Sequence, residues 1–432
     1  MVANERNVVM HTERLELLPG VWLNLARSDR FKTGCFSVNL LRPLAQVDAA
    51  PNALLPSVLL RGCRACPDMQ EISRRLDTLY GASAGVLVRK KGEVQTVGLY
   101  ADFLEDRYAE GEPVFSQMID LLGSLLFEPC MEKNGFVESF VEGERRNLAN
   151  TLDARINDKR SYATTQMLKA MCREEPYAVP RLGEKYTLDG LTGKSLYGRW
   201  QELLSNSRIE LFYLGQQSRE AVIEALRGMF SALPERNKLT PVNTVPVRYG
   251  RPVQYVQEEL DVTQGKLTLG LRTDITLTDS RYPAMMLLNA VFGAGMTSKL
   301  FVKIREEQSL CYYANSVLDK FKGIMTIGSG IEFGNYQVAL DGILEQLKLC
   351  QQGEITPQEL ESARGFIISA LRTGSDSPGR LDDYAIGQAI AGLDDTMDDL
   401  AARVQNVTLE QVVEAANTLA LDTVYFLKGV QV

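Results

Sequence analysis

The segment Lys266-Leu-Thr-Leu-Gly-Leu-Arg272 alternates apolar side chains with small or polar ones, which is the period of a β-strand. About 230 residues earlier, Phe36-Ser-Val-Asn-Leu-Leu-Arg42 has the same character. The same offset relates Ile324-Met-Thr-Ile-Gly328 to Val94-Gln-Thr-Val-Gly98, a second pair of strand-like runs. The order and spacing of these runs, rather than their identity, predict that one pattern occurs twice along the chain.

Helical stretches follow the strands in both halves of the chain, with apolar residues at spacings of three and four. These stretches are Met69–Leu79 and Val114–Phe127 in the first half, and Ser298–Glu307 and Tyr336–Cys350 in the second. Each half then closes with an apolar strand that finishes in glycine, Ile209–Gly215 and Thr423–Gly429. The pattern predicts the α+β class, with helices on one face of a mainly antiparallel sheet in each half.

The boundary between the halves is rich in proline. Residues 234–252 contain four prolines among polar residues. Because proline fixes φ and removes a backbone donor, this stretch is expected to be extended. We therefore expect an N-terminal domain at 1–233, a linker at 234–252 and a C-terminal domain at 253–432. A long surface loop inside one domain is the alternative interpretation.

The composition is that of a soluble globular protein, with 45% hydrophobic and 24% charged residues. The formal net charge of −8 argues against a nucleic-acid partner, because phosphates favour a basic surface. The sequence shows neither a signal-peptide pattern nor an apolar run of bilayer length, so we expect no membrane association and a cytoplasmic location. The seven scattered cysteines indicate reduced thiols.

The chain has a single histidine, His11. Serine and cysteine hydrolases of the triad type need an imidazole base, and HExxH and HxxEH zinc sites need two imidazoles. None of these sites can form within this chain. Gly293–Leu300 lacks the spacing of a phosphate loop, and acidic pairs such as Glu258-Glu259 lack the apolar surroundings that acid–base catalysis needs.

Cys63-Arg-Ala-Cys66 is the remaining motif with a chemical interpretation. A structural zinc ion needs four ligands, and the sequence has no second CxxC or CxxH motif. A redox role would place the motif before a helix, which Pro67-Asp-Met-Gln-Glu71 allows. Coincidence is the favoured interpretation, and a redox pair and a metal ion shared between subunits are the alternatives.

The segment Phe292-Gly-Ala-Gly-Met-Thr-Ser-Lys-Leu-Phe-Val-Lys-Ile-Arg-Glu-Glu-Gln-Ser-Leu-Cys-Tyr312 resembles the C-terminal signature of the pitrilysin/insulinase family of zinc peptidases, which includes the mitochondrial processing peptidases. In that family a glycine-rich turn, a Met-Ser-Ser-Arg-Leu-Phe-like helix start, an Arg-Glu-Lys-like helix end and a downstream tyrosine occur together. The resemblance continues in the first half at Leu59-Leu-Arg-Gly62 and at the helix Gln70–Gly81. It implies two tandem, structurally repeated α/β-roll domains in a clam-shell arrangement.

The same resemblance locates the segment in which an active member carries HxxEH, namely Ala53-Leu-Leu-Pro-Ser57. Ala53 and Ser57 stand at the two histidine positions, and Pro56 stands at the position of the glutamate base. The downstream zinc-ligand glutamate falls at Asn150, or at Thr151 beside it. The resemblance therefore implies that this chain binds no zinc ion and has no peptidase activity by itself.

Arg305 and Tyr312 are the family residues that this chain keeps. In the family this pair binds substrate and stabilises the oxyanion, and a guanidinium and a phenol both donate hydrogen bonds to developing negative charge. The alternative is a structural role, with Arg305 at a helix end and Tyr312 half-buried in a strand. Because side chains alternate along a strand, Tyr312 and Tyr313 are expected on opposite faces.

The resemblance is to the non-catalytic subunit of a paired bacterial peptidase. It implies a homologous HxxEH-bearing partner that holds the zinc ion, and peptide substrates held extended along a sheet edge. The alternative is a scaffold that binds a peptide or protein without cleaving it, and some members of this subgroup are associated with modification of elongation factor P. A thiol redox function through Cys63 and Cys66 is a third interpretation.

Overall fold

The computed structural model describes residues 12–236, 238–248 and 250–430, so His11 lies outside the described residues. The chain forms two compact units. Unit one takes its described residues from Met1–Asp153, Val179–Asn243 and Ser377–Thr396, and unit two takes them from Ala154–Ala178, Thr244–Asp376 and Met397–Val432. Within the described part of the chain, no helix has the length and apolar content needed to cross a membrane.

The strands in chain order are β1 (Thr12–Leu18), β2 (Val21–Arg27), β3 (Thr33–Pro43), β4 (Ser83–Lys91), β5 (Val94–Leu104), β6 (Met131–Glu132), β7 (Gly135–Phe136), β8 (Arg208–Gly215), β9 (Gln254–Leu260), β10 (Gly265–Arg272), β11 (Cys311–Asp319), β12 (Ile324–Ile331) and β13 (Ala420–Gly429). The strands predicted from the alternating runs at 36–42, 94–98, 209–215, 266–272, 324–328 and 423–429 all lie inside these elements.

The helices in chain order are α1 (Ala49–Leu59), α2 (Met69–Thr78), α3 (Val114–Phe127), α4 (Glu138–Asp153), α5 (Lys159–Met171), α6 (Gly193–Asn206), α7 (Arg219–Met229), α8 (Tyr282–Phe292), α9 (Tyr336–Gln351), α10 (Pro357–Ser375), α11 (Pro378–Ala391), α12 (Met397–Gln405) and α13 (Leu409–Thr418). A π-helix spans Leu300–Glu307, within the stretch predicted to be helical. The described residues of the stretch 234–252 form neither helix nor strand.

Unit one is built on a six-stranded sheet, counted over the described residues, in the order β1-β2-β8-β3-β5-β4. Neighbouring strands are antiparallel except β2 and β8, which are parallel. One face packs on α1, α3, α6 and α7, because alternate residues such as Val38 and Leu40 of β3 join the large apolar core. The opposite face carries Cys35, Phe212 and Leu214, which pack against α11. Helices therefore cover both faces of this sheet, whereas the sequence pattern predicted helices on one face, and α11 is the helix on the second face.

Unit two repeats this topology. Over the described residues its sheet has five strands in the order β11-β12-β10-β13-β9, and β13 and β9 form the parallel pair. Read from the edge, β4-β5-β3-β8-β2 of unit one corresponds strand for strand to β11-β12-β10-β13-β9. The repeat is thus confirmed at the level of strand order, although the two halves share little identity.

Helix α5 covers one face of the unit-two sheet. Its residues Met167 and Met171 pack with Ile324, Tyr425 and Leu427, all buried. Helix α5 comes from the first half of the chain and α11 from the second, so each compact unit contains a segment from the other half. The domains at 1–233 and 253–432 stay a prediction about the duplicated halves, and the compact units follow a different division.

Candidate functional site

The segment that resembles the HxxEH position lines a cavity of about 440 Å³ within unit one. We call it the α1 cavity, because Ala53 and Ser57, one helical turn apart on α1, form part of its lining. Thr151 of α4 also lines this cavity. Asn150 is exposed and is not one of the lining residues. The structure therefore brings Ala53, Ser57 and Thr151 together, and of the two downstream candidates it favours Thr151.

The side chains of the α1 cavity do not fit a zinc ion. Alanine has no donor atom, and serine and threonine offer neutral hydroxyls in place of the imidazole and carboxylate ligands that zinc prefers. The carboxylate of Glu144, which also lines the cavity, accepts a hydrogen bond from Arg61 at 3.1 Å. Within the described residues, no three His, Cys, Asp or Glu side chains are grouped so that they could hold a metal ion.

Pro56, at the position of the family's glutamate base, lies inside α1 and is buried. Proline has no backbone N–H and no acid–base group, so Pro56 can neither act as a general base nor donate a hydrogen bond along the helix, although its carbonyl accepts one from the N–H of Leu60 at 3.2 Å. Two arginines line the α1 cavity instead. Arg89 pairs with Asp382, and Arg181 donates to the carbonyl of Val88 at 3.0 Å.

A second and larger cavity, of about 1050 Å³, lies within unit two beside the edge strand β11. We call it the β11 cavity. Its walls are α8, the turn after α8, the π-helix, β11 and α10, with one residue from α5. Gly293 of the turn approaches β11 so closely that a Cβ would lie 2.7 Å from the backbone nitrogen of Ser316. Glycine at position 293 is thus a packing requirement at the rim of this cavity, whereas a Cβ at Gly295 would meet open space.

Arg305 lines the β11 cavity from the π-helix. Its guanidinium carbon lies 4.6 Å from the ring centroid of Phe301, and its Nε is 3.5 Å from Glu306. The side chain is 40% exposed, so its donors remain within reach of a ligand. π-Helical turns are rare and occur often at functional sites.

Tyr312 does not line the β11 cavity, whereas Tyr313 does. A β-bulge between Cys311 and Tyr313 interrupts the pairing of β11 with β12 and changes the alternation of side chains at this point. Tyr312 is 64% exposed and donates its hydroxyl to Glu332 at 3.0 Å, a bond that raises the pKa of the phenol. Arg305 and Tyr313 therefore line the same cavity, and Tyr312, which the resemblance pairs with Arg305, is not among its lining residues.

Arg160 of α5 is a cavity residue that the sequence analysis missed. Its guanidinium lies 4.3 Å from the ring centroid of Tyr313, and it donates a hydrogen bond to Asn315, which is 155 positions away in the chain. Burial raises the pKa of Tyr313, and the positive charge of Arg160 acts in the opposite direction. No local motif marks Arg160, because it reaches the cavity only through the packing of α5 on the unit-two sheet.

Cys63 and Cys66 form a tight hairpin in which the N–H of each residue donates to the carbonyl of the other, at 2.8 Å and 3.1 Å. Both residues are buried, and burial raises the pKa of the Cys66 thiol. A reactive redox cysteine needs a lowered pKa, so the burial of both thiols and the raised pKa of Cys66 disfavour the redox interpretation.

The fold and the two cavities define a class of two-unit α+β protein whose α1 cavity is lined by side chains that do not fit a zinc ion. A family model described as the inactive domain of peptidase M16 matches residues 190–365. A probable inactive metalloprotease of Bacillus subtilis (strain 168) is 32% identical over 413 residues, which cover 95% of this chain and 96% of that protein. The chain therefore belongs to the M16 peptidase family, the pitrilysin/insulinase type, as a homologue without the HxxEH motif.

Solved structures share the fold of this chain. A conserved protein from Enterococcus faecalis V583 superposes with a TM-score of 0.89 at 27% identity, covering 97% of this chain and 99% of that one. A peptidase M16 inactive domain from Pseudomonas fluorescens superposes with a TM-score of 0.79 at 17% identity, covering 98% of both chains. At that lower identity the second likeness shows the fold alone.

Proposed function

We propose that this chain is the non-catalytic subunit of a two-subunit zinc peptidase. In this proposal a homologous, HxxEH-bearing partner holds the zinc ion, and this chain binds an extended peptide and supplies Arg305 to the partner's active site. The observation that carries the proposal is the contrast between the cavities. The α1 cavity lacks the side chains that hold zinc, whereas the β11 cavity keeps Arg305 partly exposed in a large, mainly apolar recess.

Arg305 has the chemistry that this role needs. A guanidinium donates several hydrogen bonds from one plane and stays charged at all physiological pH values, so it stabilises the negative charge that develops on a peptide carbonyl oxygen. Because Tyr313 and not Tyr312 lines the same cavity, we propose that Tyr313 contacts the peptide beside Arg305. Tyr312 lies on the same strand but is exposed, and its hydroxyl donates a hydrogen bond to Glu332.

The test is reconstitution with the zinc-bearing homologue encoded in the same genome. Neither the purified chain alone nor the partner alone is expected to cleave a fluorogenic peptide efficiently, whereas the mixture should. Arg305→Ala should lower kcat/KM of the mixture by about 10²–10³-fold, the usual effect of removing one oxyanion donor. The matched control is Lys303→Ala on the same π-helix, whose side chain pairs with Glu307 at the surface. Full activity of the Arg305→Ala mixture would show that Arg305 has no catalytic role.

A scaffold that binds a peptide without cleavage is the second candidate. It is favoured by the fact that the β11 cavity is built from this chain's own residues within unit two, so binding needs no partner. A pull-down from native extract distinguishes the candidates. Recovery of an HxxEH-bearing chain in a stoichiometric complex supports the peptidase subunit, and its absence from a complex that retains bound peptide supports the scaffold.

A further inference from the structure

The β11 cavity differs in charge from the chain as a whole. The chain has a formal net charge of −8. Among the described residues that line this cavity, Arg160 and Arg305 are the charged side chains, and none is Asp or Glu. Apolar side chains such as Met286, Phe366 and Ile367 form much of the remaining wall. A recess that combines cations with apolar surface is complementary to a ligand that combines carboxylates with apolar groups.

Both arginines are held in a way that suits anion binding. Arg160 stacks on Tyr313 at 4.3 Å and Arg305 stacks on Phe301 at 4.6 Å, measured from guanidinium carbon to ring centroid. Stacking uses the face of a guanidinium, so the in-plane N–H groups that do not already contact Asn315 or Glu306 remain for hydrogen bonds to a carboxylate. The aromatic rings also restrict the arginine side chains, which lowers the entropy lost when a ligand binds.

The backbone of β11 offers polar groups to an extended ligand. The N–H of Ser316 donates to the carbonyl of Gly293 at 2.9 Å, on the side of β11 that faces away from β12. Because backbone groups alternate along a strand, those of Ala314 point to the same side. The turn at Gly293 covers this edge at Ser316, so the edge beside the cavity is short and suits a few residues rather than a long strand.

We propose that the β11 cavity binds a short extended peptide segment in which apolar side chains are flanked by aspartate or glutamate. The apolar side chains would lie against α8 and α10, the carboxylates would meet Arg160 and Arg305, and the segment's backbone would bond to Ala314. This inference deepens the proposed function and rests on it for the peptide nature of the ligand. It makes basic segments poor ligands, since they would place like charges beside two arginines.

The test is direct binding to the full chain without any partner. A short fluorescein-labelled peptide with alternating leucine and serine between two glutamates is titrated by fluorescence anisotropy, beside matched peptides with glutamine or lysine at the two ends. We expect the affinity to fall from the glutamate to the glutamine to the lysine peptide. Arg160→Gln and Arg305→Gln should each weaken binding of the glutamate peptide by about threefold to fivefold, as expected for partly exposed charge pairs.

Controls separate charge from packing. Both arginine variants should leave the affinity for the glutamine peptide nearly unchanged, and Lys303→Gln, the same charge change outside the cavity, should leave all affinities unchanged. Equal affinity for the glutamate and lysine peptides, or an equal loss in Lys303→Gln, would overturn the charge preference. If no peptide binds, the cavity is not a peptide site. The cleavage assay of the two mixed subunits uses a different readout and would still decide the proposed function.

Discussion

Burial determines how much single charged residues contribute to the stability of this protein. Arg272 of β10 is 2% exposed, and it donates to Glu175 at 2.7 Å and to Asp422 at 3.1 Å. Burial by itself would raise the pKa of Glu175, but hydrogen bonds from Arg272 and Lys322 outweigh it and hold that pKa below its usual value. Arg272 thus links the segment after α5 to strands of the unit-two sheet.

Removing Arg272 should strongly destabilise unit two. Arg272→Met removes the buried cation that pairs with the carboxylates of Asp422 and Glu175, and losing one member of a buried ion pair costs about 3–5 kcal/mol. The expected result is a lower midpoint of urea denaturation followed by far-UV circular dichroism. Arg74→Met, which breaks an exposed pair with Glu71 on α2, is the control and should cost less than about 1 kcal/mol. Similar midpoints for the two variants would contradict the importance of burial.

The choice between Thr151 and Asn150 is also testable at single residues. In a chain carrying Ala53→His and Ser57→His, adding Thr151→Glu completes a three-ligand set around the α1 cavity, whereas Asn150→Glu places its carboxylate outside the lining. We expect the Thr151→Glu variant to bind zinc about tenfold more tightly or better, measured by competition with a chromophoric chelator. Equal zinc affinity would mean that the lining does not distinguish the two positions.

At the scale of secondary-structure elements, the sequence predicted the strands and helices that local periodicity encodes. The strand runs and α3 follow from periodicity, and the bounds of α3 coincide with the predicted helix at 114–127. The π-helix at Leu300–Glu307 and the β-bulge at Cys311–Tyr313 could not be predicted, because each adds a residue to a regular turn or ladder without a distinct composition. That extra residue decides which tyrosine shares the cavity with Arg305. The position of Arg160 in the β11 cavity could not be predicted either, because Arg160 lies on α5, a helix of the first half of the chain that packs on the sheet of unit two.

Helix α11 should depend on one buried carboxylate for its docking. Asp382 accepts a hydrogen bond from Ser37 of β3 at 2.6 Å and pairs with Arg89 of β4. Asp382→Ala leaves Arg89 with the longer ion pair to the exposed Asp383 at 3.7 Å and weakens the cover over Cys35, which is 4% exposed. In a Cys130→Ser background, we expect Cys35 to react with a thiol reagent several-fold faster in Asp382→Ala than in the chain that keeps Asp382. The reason is that a buried thiol reacts only when the structure around it opens locally.

Asp394→Ala provides the matched control for this labelling experiment. Asp394 follows α11 and is exposed, so its removal should not change the rate at which Cys35 is modified. The modified cysteine is identified by peptide mass mapping, which separates Cys35 from the other thiols. If Asp382→Ala and Asp394→Ala label Cys35 equally slowly, the hydrogen bonds of Asp382 do not hold the helix in place.

At the scale of the whole molecule, the fold combines a duplicated sheet with an exchange of helices between the two halves of the chain. Each half supplies a sheet with the same strand order, yet the helix that covers the second face of each sheet belongs to the other half. Local patterns predict the duplication because it repeats along the sequence. They do not predict the exchange, because α5 and α11 look like ordinary amphipathic helices and nothing local specifies which sheet each one covers.

The exchange predicts that neither half folds by itself. A fragment of residues 244–432 lacks α5, so Tyr425 and Leu427 lose the buried methionines that cover them, each worth about 1.5–3 kcal/mol of burial. A fragment of residues 1–243 lacks α11 and leaves Phe212 and Leu214 uncovered in the same way. Expressed singly, both fragments should bind the dye ANS and melt without a cooperative transition, whereas co-expressed fragments should give the circular dichroism spectrum of the intact chain. Cleavage of the intact chain at a protease site inserted within 238–248 is the control, and it should preserve that spectrum. A single fragment that melts cooperatively and binds no dye would show that its sheet is stable without the exchanged helix.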